Sequence, residues 1–370
     1  MTYLDNLRSF ALLLGLVFHS AIVYAESIGY AIQSQDRSEV LKHFCFFVHS
    51  FRMPLFFFLS GFFSEMIWTK KGKMAYLQTR SLRLILPFFV GMVLFAPIQY
   101  FLVELRKGEN FLYPEFFLGF WSGDSFGLSH LWFLYYLIIY CILLPFVPGK
   151  DRYFRFDSLS SHFLYFFFVL TTLGFSLFAN SIFPKGYKFL EIDPYLFIYN
   201  FSFFFAGILA FRNPKMFRDS ILTVQAKAIG FICLLILLVF FENLEIQDPL
   251  WSGYFWGGRP RRILHLGVSA TIAWGFIYFF IEFFKRFFNS ETESSIYIRD
   301  SSLPIYLIHH PVSLGLGYYL LPLNIDLFPK FCIHLTLVFL ISFLIYDSFV
   351  KPSPLFRLLL GMRIDKTKEK

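Results

Sequence analysis

The stretch Arg80-Ser-Leu-Arg83-Leu-Ile-Leu-Pro-Phe-Phe-Val-Gly-Met-Val-Leu-Phe-Ala-Pro-Ile-Gln-Tyr-Phe-Leu-Val103 decides the fold class. Two arginines are followed by a run without a formal charge, as long as the roughly 20 residues a helix needs to cross a bilayer core. Comparable runs recur at about 7–25, 43–67, 84–105, 129–148, 161–180, 194–211, 228–242, 262–284, 302–321 and 330–350. An open strand in lipid would leave its backbone unpaired, so each run predicts a helix. The expected fold is all-α, a polytopic membrane bundle of about ten transmembrane helices. It occupies 1–350 as one domain, with a basic cytoplasmic tail over 351–370. Pro54, Pro87, Pro97, Pro304 and Pro311 predict kinks.

Composition agrees. The chain is 57% hydrophobic and 16% charged, with 56 Phe in 370 residues, whereas soluble domains carry about 25% charged residues. That excludes a soluble enzyme, a disulfide scaffold and a disordered chain. No polar stretch is long enough for the soluble domain of a bitopic receptor. The net charge of +8 reads as topology and not as nucleic-acid binding. With both termini cytoplasmic, inner segments hold about two-thirds of the Lys and Arg, the positive-inside pattern. Cys45, Cys141, Cys233 and Cys332 lie in or beside apolar runs without paired spacing, so neither a disulfide nor a metal site is expected. The first run carries Arg8 and His19 and lacks a basic leader, so it reads as a retained helix.

Ionisable groups inside such runs are costly and point to function. Arg8 and His19 are eleven residues apart, about three helical turns, and share a face. The second run reads His49-Ser-Phe-Arg52-Met-Pro, one turn between its two basic groups. The fourth opens on Ser129-His130-Leu-Trp-Phe, and the ninth carries Tyr306-Leu-Ile-His309-His310-Pro311. Adjacent positions point about 100° apart, so at most one of His309 and His310 is expected to face a shared pocket squarely, with the other bracing it. Most of these groups have a bland reading: Arg8 snorkels, His19 makes an interhelical hydrogen bond, and Arg52 is ion-paired or exits to the outer surface. His130 starts an aromatic belt, and Arg80 and Arg83 are inside charge. Together they describe a polar tunnel, with bases toward the outer half and an anion grip toward the cytoplasm. There is no HExxH, Walker loop or Rossmann glycine pattern.

These residues also carry a resemblance. Arg8 with ten residues before His19, Leu59-Ser60-Gly61-Phe62-Phe63, Arg80-x-x-Arg83, His130-Leu-Trp-Phe-Leu and Ser302-x-x-Ile305-Tyr306-Leu-x-His309-x-Pro311 resemble, in order, the integral-membrane acyltransferase 3 family. His49-Ser-Phe-Arg52-Met and His309-His310-Pro311 resemble its osmoregulated periplasmic glucan branch, the glucan biosynthesis protein C type. The resemblance implies transfer of an acyl group, succinyl or acetyl, from cytoplasmic acyl-CoA to a glycan hydroxyl across the bacterial inner membrane. The donor is then a substrate, and no permanently bound cofactor is expected. Arg80 and Arg83 would pair the CoA phosphates, and Arg8 would guide the donor. His19 would be the general base, since imidazole exchanges protons near neutral pH. Arg52, His49, His130 or His309 would hold the oxyanion or orient His19. An acyl-histidine intermediate remains an alternative, as does a transporter or flippase using the same His and Arg groups as a relay. The expected partners are acyl-CoA, a glycan acceptor and membrane lipid, with no nucleic acid.

Overall fold

The computed structural model describes residues 2–109, 112–122, 126–146, 161–183, 187–213 and 259–362, with isolated helical positions at 228, 231, 232 and 235. Among the described residues every regular element is helical. The helices are α1 (Thr2–Ala21), α2 (Glu39–Arg80), α3 (Leu86–Val90), α4 (Ala96–Lys107), α5 (Tyr113–Phe120), α6 (Trp132–Leu143), α7 (Ser161–Ile182), α8 (Pro194–Arg212), α9 (Arg259–Phe287), α10 (Glu293–Leu320), α11 (Leu327–Ile345) and α12 (Pro354–Leu359).

Among the described residues, seven stretches are long and apolar enough to cross a membrane: Thr2–Tyr24, Glu39–Lys107, Ser129–Phe146, Phe163–Ile182, Pro194–Arg212, Ile263–Phe287 and Leu327–Val350. The chain is an all-helical, multi-pass membrane protein. The difference from the expected ten has three sources. Glu39–Lys107 merges two expected runs into 69 residues, about 100 Å at 1.5 Å per residue, against a core of about 30 Å. It breaks at Gly72 (φ 77°, ψ 176°), between Lys71 and Lys73. The expected run at 228–242 falls largely outside the described residues. The run at 302–321 lies in α10, which falls short in apolarity because it carries Ser301, Ser302, His309 and His310.

Helix starts follow local chemistry. Asp193 Oδ1 accepts the Leu196 N–H at 3.0 Å with Pro194 next in chain, and Ser353 Oγ accepts the Phe356 N–H at 3.4 Å ahead of Pro354. A capping oxygen satisfies an orphan donor, and proline has no first-turn donor to lose. Pro87 and Pro97 each open a helix directly after a π-helical turn, Ser81–Ile85 and Gly91–Phe95. The wider turn accommodates the ring and the missing N–H. Pro54 behaves differently: α2 continues through it, and its non-helical backbone is at Gly72.

The chain divides into two compact units, and the division falls inside α1. The first comprises Met1–Ala11, Phe46–Leu77 and Ile139–Thr292. In it α7 packs between α8 and α9. Trp274 Nε1 donates to Thr172 Oγ1 at 3.0 Å, Thr172 Oγ1 lies 3.2 Å from Ser202 Oγ, and Phe168 stacks on Trp274. Gly61 of α2 and Gly207 of α8 bring two backbones together: a Cβ on either would overlap a carbonyl oxygen of the other helix, that of Phe204 or Phe58. Small residues permit this approach where lipid supplies no hydrophobic drive. Gly61→Ala is therefore expected to force α2 and α8 apart and to cost about 1–3 kcal/mol. Thermal unfolding of the detergent-solubilised protein measures it, and an unchanged midpoint would refute the close crossing.

The second unit comprises Leu12–Cys45, Gln78–Ile138 and Glu293–Lys370. Here α10 packs against α4 and α11. The 25–38 loop folds back on the end of α1: Ser34 and Ser38 donate to the carbonyls of Val23 and Tyr24, both at 2.9 Å, and Ile28 and Ile32 are buried. At the other end of the unit, Gly361 (φ 76°) fits where a Cβ would lie 2.9 Å from the Arg83 carbonyl and 2.8 Å from the Pro87 ring.

Candidate active site

The second unit gathers four histidines from three separate segments. His19 lies in the last turn of α1, His130 in the 3-10 turn Ser129–Leu131, and His309 and His310 in the middle of α10. All four are buried, His309 completely. The ring of His19 is 4.8 Å from that of His310 and 5.3 Å from that of His309. His130 stacks parallel on His310 at 4.6 Å and stands 5.8 Å from His309. The two α10 rings are nearly perpendicular, as their adjacency requires, yet both border His19 and His130. His19 and His130 thus sit where the rings of both His309 and His310 reach them.

Hydrogen bonds fix the rings. His309 Nδ1 donates to the Tyr306 carbonyl of its own helix at 2.5 Å. Pro311 carries no N–H, so the Leu307 carbonyl lacks its in-helix donor. His130 Nδ1 is 3.2 Å from Gln99 Oε1 on α4, an oxygen that also accepts from Ser129 Oγ. Ser129 holds φ at 47°, a left-handed backbone that serine adopts at a cost and that accompanies the two contacts with Gln99. Tyr30, in the 25–38 loop, places its hydroxyl 3.0 Å from His19 Nδ1 and 2.7 Å from His310 Nε2. Among the described residues no group of His, Cys, Asp and Glu is arranged to hold a metal ion.

The geometry thus suits proton transfer by imidazole: several rings in contact, buried, and oriented by backbone and side-chain oxygens. A family comparison fits this chemistry. The model described as an acyltransferase domain, acyltransferase 3, matches residues 1–347. The chain belongs to the acyltransferase 3 family. It resembles the protein named glucans biosynthesis protein C in Escherichia coli (strain K12) and in Shigella dysenteriae serotype 1. Each is 26% identical over 337 residues, covering 86% of this chain and 84% of the relative. No solved structure matches it. It is accordingly a membrane acyltransferase.

Of the residues expected to serve this acyltransferase 3 chain, the second unit brings His19, His130 and His309 together. Arg80 and Arg83 also belong to it, at the end of α2 and in the Ser81–Ile85 turn, both part-buried. The other three belong to the first unit. Arg8 pairs with Asp5 at 3.2 Å and lies 4.9 Å over the Phe63 ring. His49 and Arg52 stand one turn apart on α2, and Arg52 is buried. Sequence reasoning missed Tyr30 and Gln99. Gln99 was visible as an amide inside an apolar run. Tyr30 sits in a loop without periodicity, 280 positions from His310 in the chain, so nothing local marks it.

A further buried histidine of the second unit, His334, has its own set of partners. His334 Nε2 lies 3.1 Å from Ser313 Oγ but also 3.0 Å from the Ser313 carbonyl, while its Nδ1 lies 3.2 Å from the Tyr24 hydroxyl. A carbonyl only accepts, so the Nε2 proton points at it, and Nδ1 takes the Tyr24 proton. His334 therefore has no lone pair left to activate Ser313, and it ties α1, α10 and α11 together.

Proposed function

We propose that this acyltransferase moves an acyl group, succinyl or acetyl, from cytoplasmic acyl-CoA to a hydroxyl of a glucan or other glycan on the extracytoplasmic face of the inner membrane. The observation that carries the reading is the buried group of His19, His130, His309 and His310. The glucan acceptor is suggested by the name of the relatives. His19 takes the proton from the acceptor hydroxyl as its oxygen attacks the thioester carbonyl. The tetrahedral intermediate collapses with the C–S bond breaking, and the proton passes from His19 to the departing thiolate to give free CoA. His130 and His309, whose Nδ1 protons are held by the Gln99 and Tyr306 oxygens, orient His19 or, when doubly protonated, donate from Nε2 to the developing oxyanion. Arg52 and His49 are assigned to the same charge on residue chemistry, and Arg8 to guiding the donor. Arg80 and Arg83 pair the CoA phosphates through charge-assisted hydrogen bonds, so the donor enters from their side.

The test is acyl-CoA consumption by purified protein. Free thiol should appear in step with acyl transfer, and only when a glycan acceptor is present. Absence of both, with transport of the glycan across proteoliposomes instead, would replace transfer by translocation. Within the donor site, Arg83→Ala is expected to weaken CoA binding about 10- to 100-fold, the worth of a charged hydrogen bond of about 1.5–3 kcal/mol. Calorimetric titration checks it, and unchanged affinity in both Arg80→Ala and Arg83→Ala would return these residues to a topological role.

A further inference from the structure

We infer that Tyr30 is a positioning residue that sets the tautomers of His19 and His310, making His19 Nε2 the atom that accepts the substrate proton. The inference rests on the acyl-transfer reading for its role, and on geometry for its existence. One hydroxyl lies between two imidazole nitrogens, 3.0 Å from His19 Nδ1 and 2.7 Å from His310 Nε2. A hydroxyl has a single proton, so it donates to one ring and accepts from the other. Hydroxyl donors make the shorter bonds, about 2.7–2.8 Å, and N–H donors the longer ones, about 2.9–3.0 Å. The shorter contact is accordingly assigned as Tyr30 O–H donating to His310 Nε2, and the longer as His19 Nδ1–H donating to Tyr30 Oη.

The consequences for the two rings are opposite. His19 holds its proton on Nδ1, so its Nε2 presents a lone pair, the state of a general base. His310 receives a proton at Nε2 and so carries its own on Nδ1. That nitrogen is buried and has no hydrogen-bond partner among the described residues. A buried unpaired donor costs about 1–3 kcal/mol, and an oxygen of a bound ligand would satisfy it. Tyr30 thus gives one ring the task of accepting and its neighbour the task of donating. In the reverse arrangement His19 Nε2 would carry the proton and could not act as base.

During transfer the proton of the acceptor hydroxyl moves to His19 Nε2, and the resulting imidazolium keeps its Nδ1–H bond to Tyr30 Oη. Tyr30 keeps its own proton, directed at His310. The proton on Nε2 then leaves with the CoA thiolate, and the relay returns to its starting state. Holding the loop is a separate matter. The 25–38 segment is fastened by backbone bonds from Ser34 and Ser38 and by buried Ile28 and Ile32.

The test uses full-length protein and Tyr30→Phe, which removes one oxygen. The turnover number is expected to fall about 10- to 100-fold, less than loss of the base itself. The KM for acyl-CoA should stay at its wild-type value, while the unfolding midpoint falls slightly, because a buried N–H loses its acceptor. Histidine ¹⁵N spectra, with His19 identified by difference against His19→Gln, should show Nδ1 protonated and Nε2 unprotonated in the wild type. In Tyr30→Phe the two His19 nitrogens should move toward averaged shifts. Tyr30→Phe combined with His310→Gln should be no worse than the poorer single variant, because residues acting as a unit are not additive. Unchanged turnover and shifts in Tyr30→Phe would overturn the proposal. So would a loss accompanied by a raised KM, which is the mark of a merely structural role. If the wild type turned over no acyl-CoA, the acyl-transfer reading would fall, and the nitrogen shifts would still decide what Tyr30 does.

Discussion

His19→Ala is expected to keep its affinity for CoA and to lose acyl transfer by about 10²–10⁴-fold, the contribution of a positioned general base. The separation of the two effects is the informative part. His19 is buried among His309, His310 and Tyr30, whereas the phosphate grip is assigned to Arg80 and Arg83 in another segment. Binding and turnover should be measured on the same monodisperse preparation, so that misassembly is not counted as lost chemistry. Near-normal turnover in a well-folded His19→Ala protein would move the base to His309 or His49. Loss of CoA affinity along with turnover would mean that the ring shapes the donor site instead.

Arg212→Met is expected to produce the largest loss of stability, about 3–5 kcal/mol, the cost of leaving a buried charge without its partner. Arg212 Nε donates to Glu65 Oε1 at 2.6 Å, and the two side chains are 8% and 1% exposed. Thr69 Oγ1 donates to the same oxygen at 3.3 Å, too little to replace a guanidinium. The double variant Glu65→Leu with Arg212→Met should recover much of the loss, because replacing both ions by apolar groups removes the desolvation cost as well. Thermal unfolding of the three variants measures the pattern. A single variant that melts with the wild type would show that water reaches Glu65.

The fold class was legible because lipid tolerates so few solutions. A run such as Leu84–Val103 has to be a helix wherever it sits. The count was less legible: 43–67 and 84–105 read as separate crossings in the sequence, whereas one helical stretch, Glu39–Lys107, runs through both with its break at Gly72. The run at 302–321 reads as a crossing too, although the apolar surface of α10 is interrupted by the groups it positions. Among the site residues, those announced by cost were found: a histidine or arginine in an apolar run stands out. Residues whose importance comes from long-range contact were not. Tyr30 is one phenol among 21 tyrosines, and only the folded loop brings it between His19 and His310. Glu65 was equally visible, a carboxylate within the 43–67 run. Its partner Arg212, however, directly follows the 194–211 run, where a basic residue reads as ordinary positive-inside charge, and nothing in the sequence joins positions 147 residues apart.

The seating of Gly361 against Arg83 bears on where this protein ends as an architectural object. The family match stops at residue 347, yet the chain beyond it forms α12 and returns to lie on the turn that carries the arginine motif. The boundary of the shared sequence and the boundary of the cooperative unit are thus different places. A fragment trimmed to the former would uncover Pro87 and the backbone of Arg83. Any fusion partner is best attached after the last of these contacts.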